Sequence, residues 1–74
     1  MNLKFFGYLS DMVTGIPLDN IECGEADTVR EILERINVSE KLVGFVSVNG
    51  SLVGIDYQVS NGDTIKIYPL VVGG

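Results

Sequence analysis

Histidine is absent from this 74-residue chain, cysteine occurs once, and five basic residues stand against ten acidic ones. Each shortage removes a class of function. Without histidine there is no Ser-His or Cys-His nucleophile pair and no imidazole to bind zinc, and Cys23 alone completes neither a thiolate cluster nor an intramolecular disulfide. Cys23 is therefore expected as a small core or strand residue in a reducing compartment, rather than as a nucleophile. No Gly-rich loop runs into Lys-Ser or Lys-Thr, so the phosphate cradle of a P-loop is missing too. A net charge of −5 repels phosphate backbones and argues against direct nucleic-acid binding, while favouring solubility or docking on a basic protein surface. The longest apolar stretches, such as Leu42-Val43-Gly44-Phe45-Val46, fall far short of the ~20 residues of a membrane span. The opening Met1–Phe6 segment is interrupted by Lys4 and followed by Ser10-Asp11 rather than a small-residue cleavage site, so the expected location is the cytoplasm.

What is present reads as one small domain, residues 1–74, with 46% hydrophobic and 20% charged residues. Alternation from Asn2 to Tyr8 predicts a strand with Leu3 and Phe5 on one face and Lys4 and Phe6 on the other. Tyr8 to Val13 follows as a short helical turn closed by Thr14-Gly15. Ile16–Cys23 is a weaker strand, placed at a sheet edge by Pro17. Thr28 with Glu31 three residues on is a capping-box pattern, and a helix from Val29 to about Asn37 aligns Val29, Ile32, Leu33 and Ile36 in one apolar stripe. Phe45–Val48 and Ser51–Val53 form a hairpin around Asn49-Gly50. Asp56–Val59 and Asn61-Gly62-Asp63 are turns before the last strand, Thr64–Tyr68, in which Ile65 and Ile67 share a face and Lys66 and Tyr68 share the other.

One substantial helix covers one face of a mixed sheet, so the predicted class is α+β, a roll. With the first and last strands side by side at its centre, Leu3, Phe5, Ile65 and Ile67 meet the helix stripe, and Phe6 and Tyr68 lie on the uncovered face. That aromatic pair is either shielded locally by loops and lysine stems or is a docking patch for a partner. Acidic pairs such as Glu22 and Glu25 read as solvated loop charges. The chain closes on Pro69-Leu70-Val71-Val72-Gly73-Gly74. A terminal carboxylate on two residues without side chains enters a narrow site unhindered, which makes Gly74 a candidate acyl handle; the alternative is a frayed end that happens to be glycine. Six residues from Pro69, at ~3.3–3.6 Å each, reach about 20 Å.

The opening Leu3-Lys4-Phe5-Phe6-Gly7-Tyr8-Leu9, the helix start Thr28-Val29, the hairpin Val48-Asn49-Gly50, Gly62-Asp63 before an apolar strand, and Tyr68-Pro69 leading to Gly73-Gly74 together resemble the MoaD/ThiS family of sulfur-carrier proteins. The resemblance spans nearly the whole chain and is nearer the MoaD branch. It implies a ubiquitin-like β-grasp roll, a mixed sheet with one main helix packed on one face and a flexible Gly-Gly tail over residues 69–74. It further implies that Gly74, with Gly73 beside it, is adenylated by a ubiquitin-activator-like adenylyltransferase that uses ATP, and is then converted to a thiocarboxylate. Leu70, Val71 and Val72 would thread into the partner, and Phe6, Leu52 and Tyr68 would dock it; a molybdopterin synthase large subunit is one such partner. The carrier would bind no metal or cofactor and act as substrate and donor, not as enzyme. The acceptor stays open among a molybdopterin precursor, a thiamine thiazole precursor, a tRNA base and lysines in ubiquitin-like conjugation. A β-grasp interaction module that never uses its carboxylate is the alternative of another class.

Overall fold

The computed structural model describes residues 1–15 and 27–71. The predicted edge strand Ile16–Cys23, with Pro17 and Cys23, lies outside the described residues, as do Glu22, Glu25, Val72, Gly73 and Gly74.

The main helix forms where the capping signal puts it. The Thr28 hydroxyl accepts the Glu31 backbone N–H, and the Glu31 carboxylate accepts the Thr28 N–H, both at 3.3 Å. Two further N–H groups that a helix start leaves unpaired find carbonyls in the following loop: Val29 donates to Tyr57 at 3.0 Å and Arg30 to Ile55 at 2.9 Å. This helix, α2 (Val29–Arg35), stops two residues before the predicted end because Asn37 turns into the left-handed region at φ 59°. Ile36 nonetheless stays buried beside Val29, Ile32 and Leu33. Before it come β1 (Asn2–Phe5) and the short helix α1 (Tyr8–Met12). β1 is shorter than the predicted Asn2–Tyr8 because Gly7, at φ 59°, turns the chain out of the strand and into α1.

A single 3-10 turn, Glu40–Leu42, leads into β2 (Val43–Val48), which begins two residues earlier than predicted. Asn49 and Gly50, both at positive φ, return it into β3 (Ser51–Val53) in the manner of a two-residue primed turn. β4 (Thr64–Pro69) ends the fold. Its start is pinned by polar groups of two turns: the Thr64 N–H donates to the Asn49 side-chain oxygen at 3.0 Å, and the Asn49 amide donates to Asp63 at 3.0 Å.

Among the described residues the strands order as β1-β4-β2-β3, with β1 and β4 parallel and central contacts Leu3 to Ile65 and Phe5 to Ile67. β2 runs antiparallel to β4, pairing Val46 with Ile67 and Val48 with Ile65. Side chains alternate across a strand, so these inward residues meet the α2 stripe in one core, completed by Leu9, Val13, Val38 and Val59. Leu9, Ile32, Leu33, Ile65 and Ile67 are almost wholly excluded from solvent, each such burial being worth about 1.5–3 kcal/mol. This is the expected α+β roll, a mixed sheet with its main helix on one face. Arg30 ties α2 to its surroundings, pairing with Glu40 at 2.8 Å and with Asp56. Its guanidinium is held above its ordinary value first by the hydrogen bond to Glu40 and then by the charge of Asp56.

Candidate functional site

The face of the sheet opposite α2 has no helix over it among the described residues, and strand register decides what it carries. Lys4 and Lys66 are register partners on it, Ser47 pairs with Lys66 on the far side, and Leu52 pairs with Ser47. One row further toward the end of β4 lie Phe6, Tyr68 and Phe45. The Tyr68 ring is stacked on both sides, with centroids 4.6 Å from Phe6 and 4.3 Å from Phe45, at interplanar angles of 5° and 15°. Phe6 keeps 37% of its surface exposed, Phe45 50% and Leu52 73%. Local shielding by loops and lysine stems therefore leaves this row partly open, and the half-buried Tyr68 ring lies between two exposed ones, from β2 and from the residue that follows β1, in one continuous strip. Alternation places Phe6 and Tyr68 on this face, the family resemblance adds Leu52, and all three lie there. Phe45 is absent from that set. Alternation from Val46 turns it outward, and its regular pairing with Tyr68, one position before the bulge between Val43 and Phe45, brings it into the stack.

The strip ends where the chain leaves the sheet. Pro69, assigned by sequence to the tail, is the last residue of β4 and pairs with Val43. Two glycines make room for it: a Cβ on Gly44 would lie 2.6 Å from the Pro69 carbonyl oxygen, and one on Gly7 would lie 2.8 Å from the Pro69 ring. The Leu70 N–H then donates to the Leu42 carbonyl at 2.8 Å, and the Leu70 carbonyl accepts the Tyr8 hydroxyl at 2.9 Å. Leu70 is thus bonded through both backbone groups, while Val71 is 79% exposed. Pro69 and Leu70 therefore belong to the body, and a reach counted from Val71 is about 14 Å at ~3.3–3.6 Å per residue rather than the 20 Å counted from Pro69. Proline ends a ladder but does not prevent its own residue from closing one, which is why the strand runs one position further than the sequence suggests.

A groove of about 430 Å³ opens beside Phe45, lined by Val43, Val46, Val53 and Ile55, with Glu40 and Lys41 as its charged groups. Among the described residues no cluster of acidic or thiol side chains is arranged to hold a metal ion, and no helix is long and apolar enough to cross a membrane. The described surface therefore offers an aromatic strip on the open sheet face and, at its end, a Leu70 backbone bonded through both its groups.

Two solved structures share the fold over almost their whole length. SAMP1 from Haloferax volcanii superposes with a TM-score of 0.68 at 21% identity, covering 97% of this chain and 96% of its own. A candidate molybdopterin converting factor, subunit 1, from Pyrococcus furiosus superposes with a TM-score of 0.66 at 25% identity, covering 93% and 94%. A search of curated proteins finds no match to the sequence. These likenesses bear out the ubiquitin-like β-grasp expected from the sequence. The family profile described as Mut7-C ubiquitin matches residues 2–72, nearly all of the sheet, α2 and the root of the tail, and the chain belongs to that family.

Proposed function

We propose that this chain is a sulfur carrier whose Gly74 carboxylate is adenylated by a ubiquitin-activator-like partner and converted to a thiocarboxylate, with molybdopterin biosynthesis as the most fitting pathway. The observation that carries the reading is the continuity of the stacked Phe6-Tyr68-Phe45 strip with the end of β4, the strand that precedes Gly73-Gly74 in sequence. A partner that docks on the strip has the tail at its edge. Membership in a ubiquitin-type family and the likeness to a converting-factor subunit support the same reading.

The chemistry asks little of the carrier itself. A carboxylate is a poor electrophile, so one of its oxygens attacks the α-phosphorus of ATP in the partner's site, releasing pyrophosphate. A hydrosulfide equivalent then displaces AMP from the acyl-adenylate and leaves the C-terminal thiocarboxylate. Base, metal and nucleotide site belong to the partner, and this chain is substrate and donor. Val71 and Val72 line the partner's channel, Gly73 and Gly74 pass its narrowest part, and Leu70 stays with the body. A molybdopterin synthase large subunit is the corresponding acceptor-side partner; thiazole, tRNA or protein acceptors would use the same activated end.

The test is ATP–pyrophosphate exchange by the adenylating enzyme of the same cells, with the intact chain and with a chain lacking Gly74. Exchange that depends on Gly74 is the expected result. Equal cellular activity of both chains, with no exchange from either, would favour an interaction module that docks through the aromatic strip alone.

A further inference from the structure

Tyr8 and Leu70 are 62 positions apart in sequence, yet the Tyr8 hydroxyl lies 2.9 Å from the Leu70 carbonyl oxygen and 3.2 Å from that of Leu42. A phenol has one proton to give, and here it is shared between two carbonyls with the shorter contact to Leu70. The Leu42 carbonyl meanwhile accepts the Leu70 N–H at 2.8 Å, so hydroxyl, Leu42 and Leu70 close a small ring of hydrogen bonds. Burial does not force this arrangement. Tyr8 is 44% exposed, and an exposed phenol is satisfied by water, whereas a buried one must find a protein partner. The ring is also aimed from a fixed base. Leu9, next in the chain, is fully buried, and Gly7, before it, is packed against Pro69.

We propose that Tyr8 is a positioning residue for the C-terminal tail. Its hydroxyl locks the Leu70 backbone and thereby sets the direction in which Val71 leaves the body. A root ordered before docking does not have to be ordered during it, so the terminal acyl group is presented to the activating site at a smaller entropic cost. The purpose of the lock rests on the carrier reading; the lock itself rests on the geometry of Tyr8, Leu42 and Leu70.

The experiment compares the wild-type chain with Tyr8→Phe, which removes the hydroxyl and keeps the ring. Amide hydrogen exchange is followed by NMR at Leu70 and at Ile67, inside β4, and the KM and kcat of adenylation are measured with ATP and the adenylating enzyme of the same cells. The expected result is exchange at Leu70 about fivefold faster, what one net hydrogen bond contributes, with Ile67 unchanged. KM for the carrier rises by a similar factor while kcat stays within about twofold. Unchanged exchange at Leu70 would overturn the lock. A rise shared equally by Ile67 would mean a merely structural residue, as would a KM that does not move. If the wild-type chain is not adenylated at all, the carrier reading fails and takes the lock's purpose with it, while the exchange data still decide whether the lock exists.

Discussion

Gly44 and Gly54 are indistinguishable in the sequence, each a glycine between apolar neighbours near a strand end, and the fold treats them oppositely. A Cβ on Gly44 would meet the backbone of Pro69, at 2.6 Å from its oxygen and 3.0 Å from its carbonyl carbon; a Cβ on Gly54 would meet nothing within 4 Å. Backbone in a paired strand cannot step aside as a flexible side chain can. Gly44→Ala is therefore expected to destabilise the domain by about 1–3 kcal/mol, as overpacking does, and to loosen the root of the tail. Gly54→Ala is expected to stay within about 0.5 kcal/mol of wild type. Urea denaturation checks both, and equal stability of the two variants would contradict the close approach at Pro69. Tyr8 belongs to the same scale. Its residue type and position were legible as the start of a helical turn, but its bond to Leu70 spans the chain and no local pattern announces it.

At the scale of elements, α2 was the most legible part because its signals are local. Thr28, Glu31 and the Val29-Ile32-Leu33-Ile36 stripe each act within two turns, and the cap and the buried face followed. Thr28→Ala is expected to cost about 1 kcal/mol of stability and to speed amide exchange at Glu31, whose N–H loses its acceptor. Thr28→Ser should restore most of the loss, and an unchanged melting transition in Thr28→Ala would deny the cap its role. The Arg30 cluster that ties α2 down adds no pH dependence near neutrality. A cation whose folded-state value is raised contributes fully at all pH below its unfolded value, and the contribution fades only as pH rises through the folded value, in strong alkali. Strand ends were less legible. Gly7 ended β1 early by its backbone angle, and pairing to β4 drew Val43 and Gly44 into β2, a non-local gain that propensity does not encode.

At the scale of the whole molecule, the described residues divide into a sheet face covered by α2 and one with no helix over it, and the alternation in β1 and β4 makes both visible in sequence. What sequence could not supply was the lateral order of strands that lines up Phe6, Tyr68 and Phe45, or the bonding that ties Leu70 to the body. Phe6→Asp is expected to keep the fold, since it forfeits one stacked pair, about 0.5–1.5 kcal/mol, and the burial of a ring already 37% exposed, less than the ~3 kcal/mol of a fully buried one. A domain of this length has about 4–11 kcal/mol in hand, at 0.05–0.15 kcal/mol per residue. The same variant should lose binding to the adenylating partner in a pull-down. A collapsed circular dichroism spectrum would instead make Phe6 part of the core, against its place on the outer face.

If the Gly74 carboxylate carries sulfur, intact mass reads it most directly. Protein isolated from its native cells would be weighed before and after incubation with ATP, a sulfide source and the adenylating enzyme. The expected species ends at Gly74 with one carboxylate oxygen replaced by sulfur, localised to Gly74 by fragmentation and absent when Gly74 is deleted. An unmodified mass throughout, with the same enzyme demonstrably active on another carrier, would contradict the carrier reading.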